Sequence, residues 1–271
     1  MKNKLVVCLV VCICLVSTSC VRTTTVSGKP LTTDRTTSGT ERKDKKAEAL
    51  DTYVKLGLGY LRDGNRDGAR LHLQKALETD SRSGRAHNGM ALLYQMEKED
   101  ELAEQHFKKA LQYEPDLTSA RNNYAVFLMR HDRYQESYEH LQRAATDLNY
   151  QRRSRVHLTL GQAAKRLGRE DEAMEAWEKA INLNPKMAPA HLELAGEYLN
   201  RGQLALAKQH LDRYDELAGP RAEALWLGIR LAAAFENNDG VASKALALKK
   251  MFPYSQEYLD YKAWARARAG N

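Results

Sequence analysis

Large and small apolar positions recur in a fixed order between residues 50 and 253, with a period near 34. Leu56-Gly57, Tyr60, Ala69, Leu73 and Ala76 are followed by Met90-Ala91, Tyr94, Ala103, Phe107, Ala110 and Pro115. The order returns in Tyr124-Ala125, Leu128, Ser137, Leu141 and Ala144, and again in Leu160-Gly161, Ala164, Ala173, Trp177, Ala180 and Pro185. Leu194-Ala195, Tyr198, Ala207 and Leu211 make a fifth copy, and Leu227-Gly228, Leu231, Ala242, Leu246 and Pro253 a looser sixth. Each copy predicts two antiparallel helices. Large residues beside a Gly or Ala on the first helix meet two alanines and one bulky residue on the second. Pro115, Pro185 and Pro253 fall just after second helices, which a proline can stop but not continue.

This period and order identify tetratricopeptide repeats. They predict an all-α fold: a right-handed α-solenoid of six helix-turn-helix repeats with a C-terminal capping helix. The repeats read as 50–83, 84–117, 118–153, 154–187, 188–220 and 221–253. They begin near Leu50, Gly84, Thr118, Ser154, Ala188 and Arg221, with spacings of 34, 34, 36, 34 and 33. The two extra residues fall around Asp147 to Arg153 and predict a longer turn there. Asn237-Asn238-Asp239-Gly240 reads as an insertion in the sixth repeat, suited to a turn with positive φ. The capping helix is expected at 255–268, with Tyr258, Tyr261 and Trp264 covering the last open face. Six units exceed the roughly three that a stable stack needs. Such arrays present extended binding surfaces rather than catalytic pockets.

The N-terminus reads as an export signal, residues 1–19. Lys2 and Lys4 form a basic start, and Leu5 to Val16 is apolar but too short to span a bilayer comfortably. Ser17-Thr18-Ser19-Cys20 resembles a bacterial lipobox, in which Cys20 becomes the lipidated first residue. Ser17 stands where such sites usually carry Leu, and a plain secretory signal is the alternative. Cys8, Cys12, Cys14 and Cys20 are the only cysteines, so the chain after Val21 has no disulfide and no thiolate metal site. Val21 is not the Asp that holds lipoproteins at the inner membrane, which points to the outer membrane, facing the periplasm. Residues 20–46, rich in Thr, Ser, Lys and Arg, read as a disordered tether of roughly 30 Å end to end. Lys43 to Lys46 reads as a solvated helix start, and the repeat domain as 47–271.

Charge and candidate chemistry then narrow the function. The formal charge is +7, or +5 without Lys2 and Lys4, and it is spread along the chain. That is not the basic stripe of a nucleic-acid binder. The histidines at 72, 87, 106, 131, 140, 157, 191 and 210 make no metal-ligand spacing. His87 and His191 occupy the fourth position of a repeat and read as core. Gly57-Leu58-Gly59 follows no strand and is explained by the repeat. Trp177 and Tyr198 read as repeat core, and no nucleophile has a strand-turn-helix context. No enzyme, metal, cofactor or small-molecule substrate is implied.

In this architecture first helices line the inner face, with positions 2, 5, 9, 12 and 13 pointing into a groove. In the first three repeats these include Val54, Leu58, Leu61, Asn88, Leu92, Met96, Asn122, Val126 and Met129. An apolar trough with adaptable methionines suits the apolar face of a partner helix. The alternative is that several of these side chains are buried between repeats. The fourth repeat offers Arg155, Gln162, Lys165 and Arg166, either a basic contact for acidic partner groups or a solvated surface. Leu192, Leu199, Leu225 and Ile229 offer a second apolar area, unless the insertion packs over it.

Several strings go beyond what a generic repeat requires. They are Tyr53-Val54-Lys55-Leu56-Gly57-Leu58-Gly59-Tyr60-Leu61, Asn122-Asn123-Tyr124, Arg153-Ser154-Arg155-Val156 and Leu227-Gly228-Ile229-Arg230-Leu231. With the lipobox, tether and terminal helix, the mature chain resembles the type IV pilus biogenesis lipoproteins of the PilF/PilW type, or pilotins. That resemblance implies a non-enzymatic outer-membrane lipoprotein, anchored through acyl chains on Cys20. It implies binding of secretin subunits through the amino-terminal repeats, to bring them to the outer membrane and assemble their ring. A general periplasmic scaffold for cell-envelope complexes is the alternative.

Overall fold

The computed structural model describes the backbone of residues 35–269 and the side chains of 41–268. The export signal, Cys20 and the first part of the tether lie outside the described residues. Lys45–Asn271 forms one compact unit. Of the preceding unit, Met1–Asp44, the described part is the first stretch of a helix.

The described residues form thirteen helices and no strand. They are α1 (Arg35–Arg62), α2 (Arg66–Thr79), α3 (Gly84–Glu97), α4 (Asp100–Tyr113), α5 (Thr118–Arg130), α6 (Tyr134–Ala145) and α7 (Arg153–Arg166). There follow α8 (Glu170–Leu183), α9 (Ala188–Asn200), α10 (Leu204–Leu217), α11 (Ala222–Ala234), α12 (Asn238–Met251) and α13 (Gln256–Ala269). Odd-numbered helices to α11 are the first helices of six repeats. Each of α3 to α12 packs on its neighbours in sequence, and α3 on α5, α5 on α7 and α9 on α11 form a row of first helices.

Helix α1 starts at Arg35, inside the segment expected to be a disordered tether. Glu41 to Glu48 is helical and exposed. Its Glu, Lys, Arg and Ala are strong helix formers, with Glu41 four residues before Lys45. High charge signalled solvation here, not disorder.

The turn inside each repeat holds one residue in the left-handed region. These are Gly64, Lys98, Asp132, Gly168, Gly202 and Glu236, at spacings of 34, 34, 36, 34 and 34. The sixth repeat therefore has no insertion. Asn237 is the cap of α12, its side chain accepting from Gly240 N at 2.9 Å, as Asn65 does from Gly68 N in the first repeat. The positive φ belongs to Glu236, at 57°.

The sixth repeat also inverts the size pattern. The buried positions are Ile229, Ala245 and Leu248, not Ala242 and Leu246; Leu246 is 52% exposed. Counted from the left-handed residue, Ile229 stands where the fourth repeat has Gly161. Ala245 replaces Trp177, and Leu248 replaces Ala180. The exchange moves the bulky residue to the first helix and keeps a large side chain packed against a small one. It also displaced the sequence frame of this repeat by one residue.

The longer turn falls where the spacing predicts it. Residues 146–152 separate α6 from α7, against 80–83 between α2 and α3. Asp147 orders this turn, accepting from Thr118 Oγ1 at 2.5 Å and Asn149 N at 3.0 Å. Pro115, Pro185 and Pro253 each lie two residues beyond a second helix. At the C-terminal end, Tyr258, Tyr261 and Trp264 of α13 pack on Trp226, Leu225 and Ile229. The array is capped as expected.

Candidate functional site: a cleft across the first three repeats

First helices α1, α3 and α5, with the long turn before α7, enclose a cleft of about 490 Å³. Leu58, Leu61, Leu92 and Met96 give it an apolar wall. Asn88, Gln95, Ser119 and Asn123 add polar groups, and Arg62, Arg130 and Arg152 line it as well. Asn123 Nδ2 donates to Asn88 Oδ1 at 3.0 Å, joining two repeats across the cleft. Leu58, Leu92 and Met96 are half-buried, with one side packed on the core beneath them.

Five of the nine expected groove residues meet here: Leu58, Leu61, Asn88, Leu92 and Met96. The other four lie elsewhere. Val54 is 2% exposed and packs with Ala76 and Ala86 between the first and second repeats. Asn122 is buried, and its Oδ1 has no hydrogen-bond partner. Val126 is half-buried and does not line the cleft. Met129 packs against the core of the third and fourth repeats. For Val54 and Asn122, burial between repeats is the outcome, and Met129 is partly buried in the same way.

Arg62 and Arg130 occupy the thirteenth position of their repeats, so the groove frame contains them, although they break its apolar pattern. Arg152 comes from the lengthened turn, which no repeat frame reaches.

The basic face expected in the fourth repeat is largely neutralised. Lys165 Nζ and Gln162 Nε2 donate to Glu193, at 3.1 and 3.2 Å. Lys165 also lies over the Trp177 ring at 5.4 Å, and Arg166 over the Tyr134 ring at 5.7 Å. Arg155 stays exposed. The second apolar area is largely filled: Leu192 and Ile229 are core, Leu199 and Leu225 are half-buried, and helix α13, not an insertion, covers Ile229. The opening that remains beside Leu192 and Trp226 holds about 140 Å³.

Two other openings exceed the cleft in volume. One of about 670 Å³ lies at Pro115, Arg121 and Asp147, and one of about 610 Å³ at Pro185, His191 and His210. Both are walled mainly by turns and polar side chains, with few apolar groups. The cleft and the much smaller opening beside Leu192 and Trp226 each join first helices of three successive repeats, the geometry that takes a long partner segment, and the cleft is the larger of the two.

The histidines are structural. His87 Nε2 faces the Ser81 carbonyl oxygen at 3.1 Å, and its Nδ1 lies 3.1 Å from His106 Nδ1. The same pair recurs in the fifth repeat, with His191 and His210 at 3.0 Å. Trp177 is fully buried, and no cluster of three metal-ligating groups occurs among the described residues. No helix among the described residues is long and apolar enough to cross a membrane.

Comparison with known proteins agrees with this fold. A tetratricopeptide repeat family model matches residues 154–187. Over 216 residues the chain is 39% identical to the type IV pilus assembly protein PilF of Pseudomonas aeruginosa, covering 80% of this chain and 86% of that protein. The solved structure of Pseudomonas aeruginosa PilF superposes with a TM-score of 0.77 at 38% identity, over 81% of this chain and 99% of that one. The crystal structure of PilW, a widely conserved type IV pilus biogenesis factor, gives 0.69 at 27% identity, over 78% and 97%. Identity at this level across four-fifths of the chain places it in one family with these proteins: it belongs to the PilF family of tetratricopeptide proteins of type IV pilus biogenesis.

Proposed function

We propose that this protein binds secretin subunits in the cleft of its first three repeats and promotes their outer-membrane targeting and multimerisation. Acyl chains on Cys20 supply membrane affinity, and the segment before the repeats sets the distance over which the cleft searches. The cleft shields an apolar secretin segment until the subunit inserts. One observation carries the reading. Leu58, Leu92 and Met96 stay partly open on a surface built by three successive repeats, whereas the first helices of the later repeats leave only a much smaller opening. A partly open apolar surface flanked by polar groups is suited to an apolar partner segment.

The test is the abundance of secretin multimers in outer-membrane fractions, with and without this protein and with Cys20→Ala. Loss of multimers without the protein, and mislocalised multimers with Cys20→Ala, are expected. Unchanged multimers in both strains would replace this reading with a general envelope scaffold.

A further inference from the structure

The cleft carries charge of one sign. Its lining includes Arg62, Arg130 and Arg152 and no Asp or Glu. None of the three is in an ion pair among the described residues. Some arginines elsewhere are engaged: Arg70 with Glu97 at 2.6 Å, Arg133 with Glu104 at 2.8 Å and Arg201 with Asp171 at 2.8 Å. In the cleft, cations without an acidic neighbour in the lining share one surface with the open apolar wall.

Helix stability accounts for two of them. Arg62 and Arg130 sit in the last turns of α1 and α5, where a cation complements the carbonyl end. Arg152 has no such role. It immediately precedes α7, whose first turn contains no acidic residue, so its charge opposes the helix dipole. It belongs to the turn 146–152, the joint with the extra residues. This irregular joint brings a third cation to the cleft at an electrostatic cost to its own helix.

We infer that the segment bound in this cleft is acidic at its flanks. Its apolar residues meet Leu58, Leu92 and Met96, and its Asp or Glu carboxylates pair with Arg62, Arg130 and Arg152. A guanidinium matches a carboxylate with two parallel hydrogen bonds, which fixes register as well as charge. Exposed rim charges also speed encounter and reject basic competitors. The inference rests on the cleft being the binding site proposed above, but not on the partner being a secretin.

The test places a photo-crosslinking residue at Gln95 of the full-length chain in its own cell and sequences the captured segment. The expected segment carries carboxylates within about one helical turn of its apolar anchors. Replacing the three arginines together with glutamine should lower capture about tenfold, and replacing them with lysine should keep most of it. All three arginines are exposed, so these variants should keep the fold, which circular dichroism checks. A segment without carboxylates, or undiminished capture by the glutamine variant, overturns the inference. If Leu92→Glu abolishes capture while the glutamine variant does not, the cleft stands and the acidic flank falls. An acidic segment from a protein other than a secretin upholds the inference and removes the secretin reading. No capture above background removes both.

Discussion

Gly161 and Trp177 approach so closely that no side chain fits between them. A Cβ at Gly161 would lie 2.3 Å from the indole Nε1 and 2.8 Å from the Ala173 carbonyl oxygen. The indole cannot withdraw, because it is fully buried and its Nε1 donates to the Leu158 carbonyl at 3.2 Å. Gly161→Ala should therefore cost about 2 kcal/mol, overpacking outweighing a helix-propensity gain of about 1 kcal/mol. Gly59 is also within a helix but has nothing within 4 Å. Gly59→Ala should stabilise by about 0.5–1 kcal/mol. Urea unfolding should move the two midpoints in opposite directions; shifts of the same sign would show that these contacts are misjudged.

That contact also explains what could be read from the sequence. A small residue facing a bulky one defines the repeat, so five frames were legible from Gly57, Ala91, Ala125, Gly161 and Ala195. The sixth slipped because Ile229, Ala245 and Leu248 exchange large for small. Within the site, the frame gave the helix face but not the depth. Val54 and Leu58 both point inward, yet Val54 lies under α3 and Leu58 stays half-open. Arg152 was out of reach because it depends on the path of an irregular turn, which periodicity does not constrain.

Stability should fall in acid through two separate windows. Burial holds His106 down to about 4, aided by His87 and Lys109, and burial likewise lowers His87, His191 and His210. The unfolded chain binds these protons near pH 6.5, so it takes up more protons than the native state below that pH. Stability is then fully present above pH 6.5 and is lost as pH falls toward about 4. Glu104 acts lower. Burial opposes its charge, but hydrogen bonds from Lys108, Arg133 and Tyr124 outweigh this and lower it to about 2. Its contribution is present above about pH 4.5 and is lost as pH falls through about 2. Melting temperature measured from pH 8 to 4.5 should decline, and His106→Gln should flatten the decline. A flat wild-type profile would contradict the buried neutral pairs.

The terminal cap should be worth more than its exposure suggests. Trp264 meets Trp226 edge-on with centroids 5.9 Å apart, and Tyr261 meets it at 6.4 Å. Trp264→Ala should cost about 2 kcal/mol, since the ring is only half-buried. Ending the chain at Pro253 should expose Ile229 and its neighbours and promote aggregation. Thermal unfolding checks both, and a change within about 0.5 kcal/mol for Trp264→Ala would mean that α13 is an appendage.

The most direct measurement is co-purification of the secretin subunit with the full-length wild type, Leu58→Glu, Leu92→Glu and Leu206→Glu. Leu206 is 39% exposed on α10, outside the cleft, and serves as the control. Leu58 and Leu92 also touch the core, so circular dichroism and melting must first show that each variant is folded. The account predicts that both cleft variants lose capture by about tenfold or more while Leu206→Glu keeps it. A folded Leu92→Glu that captures secretin as well as the wild type would contradict the assignment of the cleft.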